Sequence, residues 1–187
     1  MKLLWIFGLL LSAGCATLNK EECERANWQD LGQRDGRSGY TNARLTKHQE
    51  ACSEHGISVN TTEYTRGYQN GLKSFCTKQN GFEQGKSGKT NQRVCPPKLQ
   101  SLFNKGYTQG RRIYELNKGI EAAEKAIADL NSRIDETYSK EEFEKRSYAS
   151  ERRRLSRDKA TQERKLRRLE RELDILRTTS LIKSFLN

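Results

Sequence analysis

Eight of the chain's 14 glycines fall in four copies of one spacing: a glycine, three residues, a second glycine. The copies are Gly32-Gln33-Arg34-Asp35-Gly36, Gly67-Tyr68-Gln69-Asn70-Gly71, Gly81-Phe82-Glu83-Gln84-Gly85 and Gly106-Tyr107-Thr108-Gln109-Gly110. In each, a carboxylate or amide precedes the second glycine, and in three an aromatic follows the first. Tyr40, Phe75 and Tyr114 stand four residues beyond the second glycine of their copies. On a helix, glycines at i and i+4 clear one stripe of side chains. Each costs the helix ~1 kcal/mol relative to Ala, so four pairs make sense where a neighbouring backbone comes close enough to use the cleared stripe. The pattern predicts short helices in tight contact, with aromatics filling the grooves. Glycines that merely end short helices are the competing reading. Uneven intervals between the copies exclude a solenoid. The Arg, Asp, Gln and Lys around them exclude the use this spacing has in membrane helix dimers.

Composition says why tight contact matters. The 187 residues are 33% hydrophobic and 32% charged, with 35 Lys+Arg against 24 Asp+Glu and a mean hydropathy of -0.96. That is too lean for one large core. A small domain with covalent staples, or an elongated helical shape, is expected instead.

The staples are at hand. Cys23, Cys52, Cys76 and Cys95 make two disulfides the default in an oxidising compartment, with three possible connectivities. Residues 21–40 and 43–55 read as two short helices; antiparallel packing would bring Cys23 beside Cys52 and leave Cys76 to Cys95. A zinc site competes, because His48, Cys52 and His55 recur at i, i+4 and i+7 with ligand-like spacing. Gly81 to Ser87 imitates a phosphate-binding loop, but three residues separate its glycines where that motif needs four. No nucleotide is expected.

The second half obeys another rule. Ile113, Leu116, Ile120, Ala123, Ile127, Leu130 and Ile134 recur in steps of three and four, an a/d seam. The helix carrying them should start near Pro96-Pro97 and end near Thr137. Ser139 and Glu142 form a capping box that starts a second helix with Phe143, Tyr148, Leu155, Leu166, Leu169, Leu173 and Leu176 on its seam. Arg152, Lys159 and Gln162 also fall on that seam, which predicts looser packing there. The two helices should form an antiparallel coiled-coil hairpin, with residues 181–186 capping its base. Residues 121–144 carry three basic and eight acidic side chains, whereas residues 145–171 carry twelve basic and four acidic. That segregation favours the antiparallel pairing. The surplus of positive charge at Arg152, Arg153, Arg154, Arg167 and Arg168 also suits an anionic partner.

The N-terminus reads as an address. Met1-Lys2 is a positive start, Leu3 to Leu11 is apolar, and Ser12-Ala13-Gly14 is a small-residue exit. Together they form a secretory signal peptide over residues 1–14. Leu11-Ser12-Ala13-Gly14-Cys15 resembles the lipobox of bacterial lipoproteins, which implies diacylglycerol and an N-acyl chain on Cys15. Removing Cys15 from the thiol pool leaves an even four. Ala16, where an Asp would resemble an inner-membrane retention signal, implies the outer membrane facing the periplasm. Seven residues lie between Cys15 and Cys23, at most ~25 Å of extended chain, so the Cys/Gly domain should sit near the membrane. The expected organisation is a signal peptide (1–14), a lipid-anchored tether (15–20), a Cys/Gly-pair helical domain (21–112) and a hairpin with its cap (113–187).

Several of these residues in combination carry a family resemblance. The lipobox, Cys23 with Trp28 and Asp35-Gly36, Tyr64-x-x-Gly67-x-x-x-Gly71-Leu72, Gly81-x-x-x-Gly85-x-x-Gly88 and Cys95-Pro96 resemble a family of Gram-negative lipoproteins catalogued as domain of unknown function 2799. The resemblance covers about residues 15–120 and implies an envelope location, with no activity or substrate.

The expected fold is all-α: a small disulfide-stapled bundle of short Gly-pair helices, then a long antiparallel helical hairpin. The expected function is that of a non-enzymatic outer-membrane lipoprotein, an adaptor presenting its arm to an envelope protein. A module that binds lipopolysaccharide or peptidoglycan through the basic arm is the alternative. An enzyme is disfavoured, because no acid pair or Ser/His/Asp or Cys/His group has a suitable spacing. Asp35 and Glu83 are the acids worth testing, with structural roles expected. No metal, nucleotide or nucleic-acid partner and no cofactor beyond the lipid on Cys15 is expected.

Overall fold

The computed structural model describes residues 18–139 and 145–185. The signal peptide, Cys15, the start of the tether, Glu142 and Phe143 with the turn between the long helices, and Leu186 lie outside the described residues. Seven helices are present among those described: α1 (Lys20–Glu24), α2 (Trp28–Ser38), α3 (Ala43–Ser53), α4 (Thr61–Phe75), α5 (Lys78–Lys86), α6 (Pro97–Ser139) and α7 (Lys145–Phe185). The described residues contain no strand, and the expected all-α class holds. No described helix is long and apolar enough to cross a membrane.

Local chemistry sets the helix ends. Asn19, Asn27 and Asn60 each accept a hydrogen bond from the backbone N–H three residues on, at Glu22, Asp30 and Glu63. These are asparagine N-caps with an acid in the first turn. The cap at Asn27 breaks the single helix expected over 21–40 into α1 and α2. Pro97 opens α6, where its missing N–H costs nothing. Gly39 and Gly88 have φ of +70° and +72° and terminate α2 and α5 in the left-handed conformation that only glycine adopts cheaply. Residues 81–88 are thus a helix and its C-terminal turn, and no phosphate loop forms there.

The chain divides into two compact units. The first holds the described residues up to Thr77 together with 92–100; the second holds 78–91 and the described residues from Ser101 on. The expected border near residue 112 falls inside α6, which runs unbroken from Pro97 to Ser139.

In the first unit, α2 and α4 touch backbone to backbone. A Cβ on Gly32 or Gly36 would run into the carbonyl oxygen of Tyr64 or Tyr68, and one on Gly67 or Gly71 into that of Gln29 or Gln33. Such approach brings Cα–H groups against facing carbonyls, a weak attraction repeated at every turn. Cys23–Cys52 and Cys76–Cys95 are both bonded, closing sequence separations of 29 and 19 residues.

In the second unit the same construction recurs between α5 and α6. A Cβ on Gly81 or Gly85 would meet the carbonyl of Phe103 or Tyr107, and one on Gly106 or Gly110 that of Lys78 or Phe82. The match extends to detail. Tyr64 stacks on Tyr68 with centroids 6.2 Å apart, and Phe103 on Tyr107 at 6.3 Å. Tyr68 donates its hydroxyl to the carbonyl of Tyr40, and Tyr107 donates to that of Lys89. The ring of Phe75 covers Gly39, and that of Tyr114 covers Gly88. Two glycine-locked modules of one design therefore succeed each other in the chain. The first has an extra helix, α3, in the link between its partners, and this insertion makes the glycine intervals look irregular in the sequence.

Beyond the second module, α6 continues and α7 returns antiparallel to it. Arg112 pairs with Glu172, Gly119 faces Leu169, and Arg152 donates to the carbonyl of Thr137. Ile113, Leu116 and Leu173 form a buried cluster, with Phe82, Ile120, Leu169 and Leu176 packed on it. Ala123, Leu130 and Leu155 are buried further along. Ile127, Ile134, Lys159 and Gln162 are half-buried. The hairpin therefore encloses a narrow apolar strip, well packed at one end and diluted by polar seam residues along α7.

Candidate functional site

Two places concentrate chemistry. One is a buried polar cluster in the first module. Asp35, on α2, is 5% exposed, and His48, on α3, is 1% exposed. Asp35 Oδ2 is 2.8 Å from His48 Nε2 and accepts from the Tyr64 hydroxyl at 2.7 Å. Arg44 Nε lies 4.0 Å from Asp35 Oδ1, and its guanidinium stacks on the Tyr40 ring at 4.8 Å. Burial pushes the Asp35 carboxyl up, but the hydrogen bonds from His48 and Tyr64 and the charges of His48 and Arg44 outweigh it and hold the group below its ordinary value. Burial and the bond to Asp35 push the Tyr64 hydroxyl well above the normal tyrosine range, and burial beside Asp35 also raises Tyr68. The cluster keeps a carboxylate ionised and uses it to join α2, α3 and α4. Glycine-locked packing does not require it: the second module has Gln84 where the first has Asp35, Phe103 where it has Tyr64, and no counterpart of α3.

His48 and Cys52 are both committed here, one to Asp35 and the other to the disulfide with Cys23. The zinc spacing read from the sequence thus does not become a ligand set. Glu83 is exposed on α5 and accepts from Gln79 at 3.0 Å.

The other place is the outer face of α7. Arg153, Arg154, Arg167 and Arg168 are exposed, as their sequence positions suggest. Arg152 differs. It is half-buried, bonds to the Thr137 carbonyl at 3.3 Å and stacks over Tyr138 at 4.7 Å. It braces the two helices together and is not part of the outward basic surface, because its seam position points it at α6. The sequence reading misses a denser group. Thr161, Arg164, Lys165, Arg167, Arg168 and Arg171 line one open groove of about 490 Å³. Its signal is present in the sequence, since Arg164, Arg168 and Arg171 occupy outward heptad positions opposite Leu166, Leu169 and Leu173. Of the nearby carboxylates, Glu163 and Glu172 are engaged by Lys159 and Arg112, and Glu170 and Asp174 are exposed on the same helix.

The modules define a class of construction: paired helices locked by glycines on both partners, with both disulfides in the first unit. Residues 27–112 match the family described as Protein of unknown function (DUF2799). The match runs from the N-cap of α2 to just past Gly110, so it spans both modules and none of α7. No curated protein and no solved structure matches the chain.

Proposed function

We propose that the chain is a lipid-anchored outer-membrane protein facing the periplasm, and that it works as a non-enzymatic adaptor presenting the α6/α7 arm to an envelope protein. The supporting observation is the arm itself, two helices of 43 and 41 residues that satisfy a narrow apolar strip between them and leave their outer faces available. Tyr138, near the end of α6, is 59% exposed, which suits a contact residue at the arm's far end. The signal peptide and Cys15 lipobox supply the address. Photo-crosslinking in cells, with the reactive residue at Tyr138 or Tyr148, tests the reading. A discrete protein band is the expected result, and its absence at both positions refutes it.

The exposed arginines of α7 favour a second reading, a module that binds lipopolysaccharide or peptidoglycan through the arm. It predicts binding that falls steeply with salt and drops when Arg153, Arg154, Arg167 and Arg168 are neutralised.

A further inference from the structure

The groove on α7 combines two properties that a generic basic surface does not. Its five cations, Arg164, Lys165, Arg167, Arg168 and Arg171, lie within eight residues of one helix. The one contact seen among them is a bond from Arg164 to the Thr161 hydroxyl at 3.0 Å. Within the same eight residues only Glu170 carries a negative charge, so the segment keeps a net positive charge that favours an anion from outside. Four of the five are arginines, whose planar forks suit paired contacts to phosphate oxygens better than lysine does.

The second property is apolar. Ile175 is 64% exposed. It stands four residues beyond Arg171 and so continues the row Arg164, Arg168, Arg171 along the same side of α7. An isoleucine left in water at the end of an arginine row is poorly suited to a soluble acidic polymer. It suits an interface with phosphates at one level and acyl chains just beneath.

We propose that the Arg164–Arg168–Arg171 face of α7 docks on the surface of an anionic phosphate-bearing lipid layer, with headgroup phosphates in the groove and Ile175 entering the acyl boundary. The proposal rests on the second reading above and narrows it to a phosphate-bearing lipid surface; it fails separately from the adaptor reading, since vesicle partitioning reports on lipid and crosslinking on protein.

The test uses the chain from residue 16 onward, which keeps every described residue and has no acyl anchor. It is sedimented with phosphatidylcholine vesicles, with or without about 30% phosphatidylglycerol. Binding to the anionic vesicles alone is expected, with loss at about 0.5 M salt. The Arg164→Gln/Arg168→Gln/Arg171→Gln variant should partition on the order of 100-fold less, at roughly fivefold per charge. Ile175→Ser should lower partitioning about tenfold while leaving the charge intact. Circular dichroism checks that each variant keeps its helix, and single Arg168→Gln serves if the triple variant does not. Equal binding by wild type and variants overturns the proposal, as does equal binding to neutral vesicles. Binding to polyglutamate but not to anionic vesicles overturns it too, and assigns the groove to an acidic protein.

Discussion

Glycine locking makes a prediction opposite to the usual helix rule. In an exposed helix, Gly→Ala stabilises by ~1 kcal/mol. α6 contains two glycines that test this within one element. At Gly110 an added Cβ would collide with the Phe82 carbonyl and stand 2.7 Å from the Lys86 nitrogen. Both are backbone atoms of α5 and cannot turn aside, so the helix pair must separate. Overpacking of this kind costs about 1–3 kcal/mol or somewhat more, and loss of the close carbonyl contacts adds to it. After the propensity gain, Gly110→Ala should lose about 2 kcal/mol. At Gly119 the added Cβ would stand 3.1 Å from Leu169 Cδ1, the end of a side chain that can shift, so Gly119→Ala should be neutral or gain up to ~1 kcal/mol. Calorimetry should show the first variant melting about 4–8 °C below wild type and the second at or above it. If Gly110→Ala is as stable as Gly119→Ala, the α5/α6 contact is not backbone to backbone and the reasoning is wrong.

The same contacts set other outcomes. Tyr68→Phe removes a part-buried hydroxyl bond and Tyr107→Phe an exposed one, so the first should cost about 1 kcal/mol and the second less; the reverse order in denaturant titration would contradict the burial of Tyr68. Removing Cys23–Cys52 by double Ala substitution should cost about 3.6 kcal/mol and removing Cys76–Cys95 about 3.3, from loop entropy, measured by denaturant titration. The Asp35 carboxyl is held below its ordinary 3.8, so its contribution is present above the unfolded value and lost as pH falls through the folded one. The stability gap between wild type and Asp35→Asn should therefore close as pH falls through the acid range below the ordinary carboxylate value; a gap that persists unchanged through strong acid would show that the carboxylate's charge is irrelevant. Arg112→Ala breaks an exposed pair with Glu172 and should cost under about 1 kcal/mol.

Much of this architecture is local. Asparagine caps, the proline at the start of α6, the seam of Ile113, Leu116, Ile120 and Ala123, and the glycine spacing each act within a turn or two. Such rules can be read along a chain without knowing what lies opposite. The expected Cys23–Cys52 bond forms, but Cys23 sits on α1, cut off from α2 by the cap at Asn27, so the long helix expected over 21–40 is not what brings it there. Arg152 is easily misjudged because a basic triplet looks uniform in one dimension, while 3.6 residues per turn send its members in different directions.

The remainder depends on residues far apart in the chain. Nothing next to Asp35 announces that His48 and Tyr64 will converge on it, since α3 and α4 deliver those groups from 13 and 29 residues away. The duplication is spelled out in glycines and aromatics, yet α3, present in one link and absent from the other, disguises the period. A glycine spacing states that a surface is cleared. Which helix fills it is decided by mutual fit: Gly32 and Gly36 against Gly67 and Gly71, and Gly81 and Gly85 against Gly106 and Gly110. Short-range backbone chemistry is written in adjacent residues, whereas packing is a property of two surfaces at once and exists only after the chain has brought them together.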